Sequence, residues 1–424
     1  MKALTHSASG SSRNSICLMG GPGFGNLYTR ACLESYCRHA GVHITDDIDV
    51  ASAIWVSMCD PDDLPTLIEA RRLANGRPVI MGGFESYFGM PYLAWADAVV
   101  VGEGWEFIQA WGGDPSEALN LPCVLTRGAR TVRPSYTIPW SRLPLLKVPG
   151  NERYYMLGGK GCKGKCKFCA TSWTQPHQHI PLGMMTRIVE FVESRPRGKL
   201  TVVSNDSGAV VESRVVNAQS VRVADYLLDP NRFKGTMLHF GVEGWTEDAR
   251  RSMSKPLDDE TVRQLFEVTA RMKQKCELFF IANYPGFDVS HITHFAETVI
   301  PLDVANSPAV HVKLTYFDPC PHTPWEGEML RPCFVDTEDV FRQLNSRNKR
   351  IRVFPTRSAG RAAWRSCLHR CTPDEALLLG PQPRDTNQPG SYGAFVERLQ
   401  ALGLLHLIGA GKRSELWPIK VSVR

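Results

Sequence analysis

Tyr154-Tyr-Met-Leu-Gly-Gly-Lys-Gly-Cys-Lys-Gly-Lys-Cys-Lys-Phe-Cys-Ala-Thr-Ser172 decides how the rest of the chain is read. The apolar run Tyr154 to Leu157 predicts a strand. A loop rich in Gly and Lys follows and carries Cys162, Cys166 and Cys169, spaced C-x3-C-x2-C with Phe168 before the last cysteine. Three thiolates this close on a flexible loop suit three corners of a [4Fe-4S] cube, with no fourth protein ligand nearby and one iron left open. Two alternatives stand beside this. A zinc site wants four ligands, and His177 or His179 lies close enough to supply the missing one. The three cysteines could also be unrelated residues in a Gly-rich turn.

The surrounding chain is that of an ordinary globular protein. It has 424 residues, enough for two or three domains with sizeable cores, with 43% apolar and 22% charged residues. No run of about 20 apolar residues exists, so no membrane span is expected. The start, residues 1–14, is polar and Ser-rich without the apolar core of a signal peptide, and is expected to be a disordered tail of a cytoplasmic protein, or of one in host cytoplasm if viral. Thirteen cysteines in such a chain point to reduced thiols or a metal cofactor, not a disulfide framework. The net charge, +6, is mild.

From Ser15 to about residue 115 strand and helix signals alternate, which implies a parallel, doubly wound sheet. Ser15-Ile-Cys-Leu-Met19, Ala53-Ile-Trp-Val-Ser-Met58, Pro78-Val-Ile-Met81 and Ala98-Val-Val-Val101 are the strands. Helices are expected over Leu27 to His39, Pro61 to Ala74 and up to Trp111. The loop Gly20-Gly-Pro-Gly-Phe-Gly-Asn26 could cradle a phosphate, but it lacks a full G-x-G-x-x-G and suits a tight βα turn better. Residues 116–150 read as a linker, with a hairpin around Arg127-Gly-Ala-Arg130. The βα alternation resumes over residues 151–325 through Leu200-Thr-Val-Val-Ser204, Met237 to Glu243, Glu277 to Ala282 and Val310 to Phe317.

The cysteine loop resembles that of the radical SAM superfamily, whose motif is C-x3-C-x-aromatic-C. Phe240-Gly-Val-Glu-Gly244 with Met253-Ser-Lys-Pro-Leu257 is similar to a stretch of the cobalamin and methylthiotransferase branch. Tyr284-Pro-Gly286 resembles its "G-x-P-G" turn, and Phe317-Asp-Pro-Cys-Pro-His-Thr-Pro324 its closing "P-x-P-G-T-P" segment. Ala96-Asp-Ala-Val-Val-Val-Gly-Glu-Gly104 looks like the cobalamin-binding-type domain that precedes many such cores, and Trp140 to Leu146 like the linker between the two. The resemblance covers roughly residues 15 to 325. It implies a Rossmann-like amino-terminal domain over 15–115, a partial (β/α)6 barrel over 151–325 and, after it, a small basic α+β module over 326–424.

It implies an enzyme that uses a [4Fe-4S] cluster on Cys162, Cys166 and Cys169 to cleave S-adenosylmethionine (SAM) to a 5'-deoxyadenosyl radical, with an electron donor such as flavodoxin or ferredoxin as partner. Glu243, at a strand end, would accept hydrogen bonds from the SAM ribose. Ser204, Asn205 and Asp206 would meet its amino group, although the usual G-G-E-like sequence is not intact. Phe168 would shield the cluster and the adenine, and Tyr284 to Gly286 would line the adenine. The histidine that binds cobalt in one class of cobalamin proteins has no counterpart in Gly20 to Asn26, so cobalamin is admissible but not favoured.

Beyond Pro324 the resemblance ends. Arg342, Arg347, Lys349, Arg350, Arg352, Arg357, Arg361, Arg365 and Arg370 share a window with no Asp or Glu. Such a patch suits a nucleic-acid backbone, with solvated surface charge as the alternative. Arg347, Lys349, Arg350, Arg352, Arg357 and Arg361 are the expected contacts. Trp364, Cys367 and Cys371 fall on one helical face, as core or, with Cys320 and Cys333, as ligands of a second cluster. A terminal strand pair is expected after Ala401. Three functions remain open: modification or isomerisation of a nucleic-acid base, which resembles the radical SAM isomerases of viral thymine hypermodification; cobalamin-dependent methylation of a small natural product; and a non-catalytic iron-sulfur nucleic-acid-binding protein.

Overall fold

The computed structural model describes residues 14–21, 24–150, 152–204, 216–217, 220–233, 237–300, 310–330, 351–355, 359–382, 391–409, 411–412 and 418–421. The amino-terminal tail lies outside them. The chain divides into two compact units, one of Met1–Pro144 with Pro418–Lys420 and one of Leu145–Trp417 with Val421–Arg424.

In the first unit the strands are β1 (Ser15–Gly20), β2 (His43–Thr45), β3 (Ala53–Ser57), β4 (Val79–Gly82), β5 (Ala98–Val100) and β6 (Val124–Leu125). They form one sheet in the order β2-β1-β3-β4-β5-β6, parallel except for β6. The first five follow the doubly wound order whose switch point lies between β1 and β3. β3 is buried at every residue, as a strand covered on both faces must be. Helices α1 (Phe24–Ala40), α2 (Leu64–Leu73) and α3 (Trp105–Gly113) accompany the sheet. Trp55 of β3 meets Trp111 and Phe107 of α3 at ring separations of 5.4 and 5.5 Å, which fastens α3 to the sheet.

Three details differ from expectation. β2 has no apolar run, because it is an edge strand with exposed or half-buried residues. The turn at Arg127–Arg130 does not make a hairpin: Val132 pairs instead with Ile419, through Val132 N–H to Pro418 and Lys420 N–H to Val132, both 2.8 Å. Of the expected terminal strand pair, Leu405–Ile408 is a 3-10 turn, and residues 413–417 lie outside the described residues.

The second unit holds β7 (Leu146–Lys147), β8 (Arg153–Leu157), β11 (Lys199–Val203) and β12 (Val216–Asn217) in the order β12-β11-β8-β7, and β13 (Leu238–Glu243), β14 (Cys276–Ala282), β15 (Val310–Tyr316) and β16 (Ile351–Pro355) in chain order. A small pair, β9 (Gly159–Lys160) and β10 (Gln178–His179), follows the first. Parallel pairing runs β8-β11-β12 in one sheet and β13-β14-β15-β16 in the other, and Ser220 makes an isolated parallel bridge to His239 of β13.

β16 adds another parallel strand, beyond the residue 325 limit expected for the core. It lies in the arginine-rich stretch between Arg342 and Arg370. The helices are α6 (Leu182–Glu193), α7 (Val223–Leu228), α8 (Glu247–Ser252), α9 (Asp259–Arg271) and α10 (Ser290–Thr298), with further helices at Ala359–Arg370, Pro373–Leu379 and Ser391–Ala401, and two short ones, α4 (Pro115–Leu119) and α5 (Ala170–Thr174), elsewhere. Val262, Leu265, Phe266 and Thr269 give α9 one buried stripe. Full burial contributes about 1.5–3 kcal/mol for each large apolar side chain among them. Trp245 stacks on Phe280 at 4.2 Å, and Phe295 closes edge-on against Phe280 at 5.1 Å, within the core.

Candidate radical SAM site

The cysteine loop leaves the carboxyl end of β8, where parallel βα folds build their sites. Cys162, Cys166 and Cys169 are all half-buried. Gly164 lies between the first two. A Cβ built there would sit 3.3 Å from Cys162 Sγ and 3.8 Å from Cys166 Sγ, so two of the thiols converge on a space that any side chain would fill. Gly164 N–H also points at Cys162 Sγ, 3.3 Å away, the kind of bond that stabilises a cluster thiolate. The donor set and this cradle fit an iron-sulfur cluster.

They fit zinc less well. Ligands of one ion crowd together, while cube thiolates each hold a different iron. Among the described residues, no set of three that includes these cysteines with His177 or His179 has its ligand atoms close enough to share an ion.

Two distant segments are bound to this loop. Lys167 N–H donates to Met253 O at 3.1 Å, and Trp325 N–H donates to Lys167 O at 3.2 Å. The cysteine loop thus meets the Met253–Leu257 stretch and the residue that follows Phe317–Pro324. Phe168 packs 6.5 Å from Trp325, which meets Phe317 edge-on at 5.5 Å. Trp173 Nε1 caps Cys166 O at 2.9 Å.

Glu243 ends β13 with φ +70°, just after a register shift between Gly241 and Glu243. The left-handed backbone re-aims its carboxylate, which lies 3.3 Å from Lys255 Nζ. A Cβ at Gly241 would come within 2.4 Å of Glu243 Oε1 and 2.8 Å of Lys255 Nζ, so any larger residue there would push the pair from this position. Lys255 is held above the usual lysine value: burial works against its charge, but the Glu243 carboxylate and then the Cys166 thiol outweigh it. Burial pushes the Cys166 thiol up to about 11, and Lys255 pulls against that. The ammonium therefore lies where thiolate charge would collect. In the sequence Lys255 is visible only as one residue of the stretch Met253-Ser-Lys-Pro-Leu257.

Arg250 holds this corner from behind. It is 0% exposed and donates to Leu257 O at 2.7 Å, to Gly244 O at 3.0 Å and to the Asp259 carboxylate. It therefore fixes the residue after Glu243 and the turn after Lys255.

The other expected residues fall unevenly. Ser204 Oγ lies near Gly159, 2.9 Å from where a Cβ there would be, at the start of the cluster loop. Asn205 and Asp206 lie outside the described residues. Gly286 has φ +81° and open space beside it, whereas Tyr284 is 1% exposed and packs on Phe287 as a core residue. Of the basic residues, Arg342, Arg347, Lys349, Arg350 and Arg357 lie outside the described residues, as does Cys333. Arg352 is an exposed residue of β16 in register with His311, and Arg361 and Arg365 are half-buried on the helix Ala359–Arg370. Arg370 is a correction. It is buried and donates to the carbonyls of Leu407, Gly409, Glu326 and Glu328, so it serves the fold and not a phosphate. Cys367 and Cys371 are fully buried in the core, with the Cys367 thiol pushed up by burial, and neither joins Cys320 in a ligand set.

No protein-family model matches the chain, and no curated protein matches it. Solved structures do. One is TsrM, a radical S-adenosylmethionine methyltransferase from Kitasatospora setae, with tryptophan substrate and a SAM analog bound; the TM-score is 0.55 at 10% identity over 74% of this chain and 75% of that one. A second structure of TsrM, with cobalamin and a [4Fe-4S] cluster bound, gives 0.56 at 11% identity over 74% and 77%. The chain shares its fold with TsrM. At this identity TsrM speaks for the architecture alone, and the cysteine loop, Glu243 and Lys255 rest on their own geometry. Among the described residues no helix is long and apolar enough to cross a membrane.

Proposed function

We propose that the chain is a radical SAM enzyme. The observation that carries this is the convergence of Cys162 and Cys166 on the Gly164 cradle, with the cysteine loop bound to Met253 and Trp325. When bound, a [4Fe-4S] cluster with one open iron supplies the electron that cleaves SAM to methionine and a 5'-deoxyadenosyl radical, which takes hydrogen from the substrate. Cys162, Cys166 and Cys169 would hold three irons. Lys255 offsets thiolate charge beside Cys166. Glu243 accepts hydrogen bonds from the ribose hydroxyls, and Phe168 with Trp325 screens the site from water.

The order of the first sheet and the likeness to TsrM favour a second reading, cobalamin-dependent methyl transfer to a small molecule. Modification of a nucleic-acid base draws support from Arg352 and Arg361, reduced by the structural role of Arg370. The test is anaerobic reconstitution with iron and sulfide, reduction, and measurement of 5'-deoxyadenosine with and without cobalamin. Production without cobalamin supports the first reading, turnover only with cobalamin the second, and a fully loaded cluster that never cleaves SAM leaves a binding protein.

A further inference from the structure

Past the end of β15 the chain makes the turn Asp318-Pro-Cys-Pro-His322. Prolines on both sides of Cys320 restrict the backbone. Cys320 N–H donates to Asp318 O at 2.8 Å, and Thr323 Oγ1 donates to Cys320 O at 2.7 Å, so Asp318 and Cys320 are held on one small, rigid turn. Opposite stands the helix Ala359–Arg370. Its residue His369 is 1% exposed, and Arg370, with its four carbonyl partners, pins the helix end.

One ligand atom from each of Asp318, Cys320 and His369 lies within 4.8 Å of the other two. His369 Nδ1 and Asp318 Oδ2 are 3.9 Å apart, beyond hydrogen-bond range. Two ligands on one tetrahedral zinc ion stand about 3.4 Å apart, from bond lengths of about 2.0–2.2 Å. A shift of roughly half an ångström would therefore bring this pair onto a shared ion. The second carboxylate oxygen is already engaged, because Ser366 Oγ donates to Asp318 Oδ1. Ser366 and His369 are three residues apart on one helix and so share a face. A carboxylate with one oxygen fixed by a hydroxyl and the other free to bind has the outer support that metal ligands have.

We propose that Asp318, Cys320 and His369 hold a zinc-class divalent ion, oriented by Ser366. The donors are a carboxylate, a thiolate and an imidazole, the mixed set that suits zinc, and three protein ligands leave a fourth position for water or substrate. The site shares no residue with the cysteine loop but lies on the segment whose Trp325 bonds Lys167, so a bound ion would stiffen a segment tied to that loop. The inference does not depend on SAM cleavage, since metal content is measured directly.

The test uses the full chain, loaded with zinc or with cobalt as a spectroscopic probe, then desalted and assayed for metal. Wild type and Cys166→Ala should both retain one zinc ion per chain, and cobalt should give the thiolate charge-transfer and tetrahedral bands. Cys320→Ser and Asp318→Asn should lose the ion and the bands, and Ser366→Ala should bind about 10–100-fold more weakly. His369→Ala should lose the ion as well. If that buried change prevents folding, the half-exposed Cys320 and the supporting Ser366 decide. Zinc that survives Cys320→Ser undiminished, zinc that disappears with Cys166→Ala instead, or a wild type that binds none would overturn the proposal.

Discussion

Replacing Arg250 with Met tests how the site is held. The change keeps the side chain's bulk and removes its donors. Leu257 O, Gly244 O and the Asp259 carboxylate then lose their partner in a place where Arg250 itself is 0% exposed. Removing one side of a buried charged pair costs about 3–5 kcal/mol. Asp259 is 30% exposed and can be rehydrated, so the lower end, about 3 kcal/mol, is the better figure. At 1.4 kcal/mol per factor of ten, local opening of residues 244–259 should become about 100-fold more frequent. Hydrogen exchange followed by mass spectrometry reads this on peptides from that segment. Arg250→Lys keeps the charge but not the fork of donors, and should lie between, near tenfold. Exchange in Arg250→Met within threefold of wild type, in a chain that is otherwise folded, would refute the idea that this arginine secures Glu243 and Lys255.

Other consequences are as specific. Gly164→Val should fill the space between Cys162 and Cys166, so reconstituted iron should fall to a small fraction of wild type while the circular dichroism spectrum stays native. Gly102→Ala would place a Cβ 2.1 Å from Ser135 O at φ +93°, and should destabilise the chain by at least about 2 kcal/mol in denaturant unfolding. If nucleic acid binds, affinity should fall with salt at a slope of about 0.9 per duplex phosphate contact, and Arg352→Ala with Arg361→Ala should flatten that slope. No binding at low salt, or a slope that the two changes leave untouched, would remove the basic patch from the account.

Legibility in the sequence followed burial. β3, β5 and β14 are buried apolar runs and could be read directly. β2 and β12 could not, since two or three residues at a sheet edge carry no period. β16 was hidden differently: Ile351-Arg-Val-Phe-Pro is a short, mostly apolar run set among arginines, without the length or period of a clear strand. The three loop cysteines stand out in the sequence because their spacing is local. Arg250 was not, because only the folded turn brings Gly244 O, Leu257 O and Asp259 around it, and Arg370 was not, because its carbonyl partners, such as Gly409, lie far along the chain. The Asp318, Cys320 and His369 set escaped for the same reason. Its third member lies on a helix that sequence alone could not place against the turn.

The central claim is that Cys162, Cys166 and Cys169 hold a cluster whose remaining iron binds SAM. Electron paramagnetic resonance of the reduced, reconstituted chain tests it most directly. The spectrum of wild type should be that of a reduced [4Fe-4S] cluster and should change when SAM is added, because an iron gains new ligands. Cys162→Ala, Cys166→Ala and Cys169→Ala should each lose the signal. A full-strength signal indifferent to SAM, or one that persists in any of the three variants, would contradict the assignment.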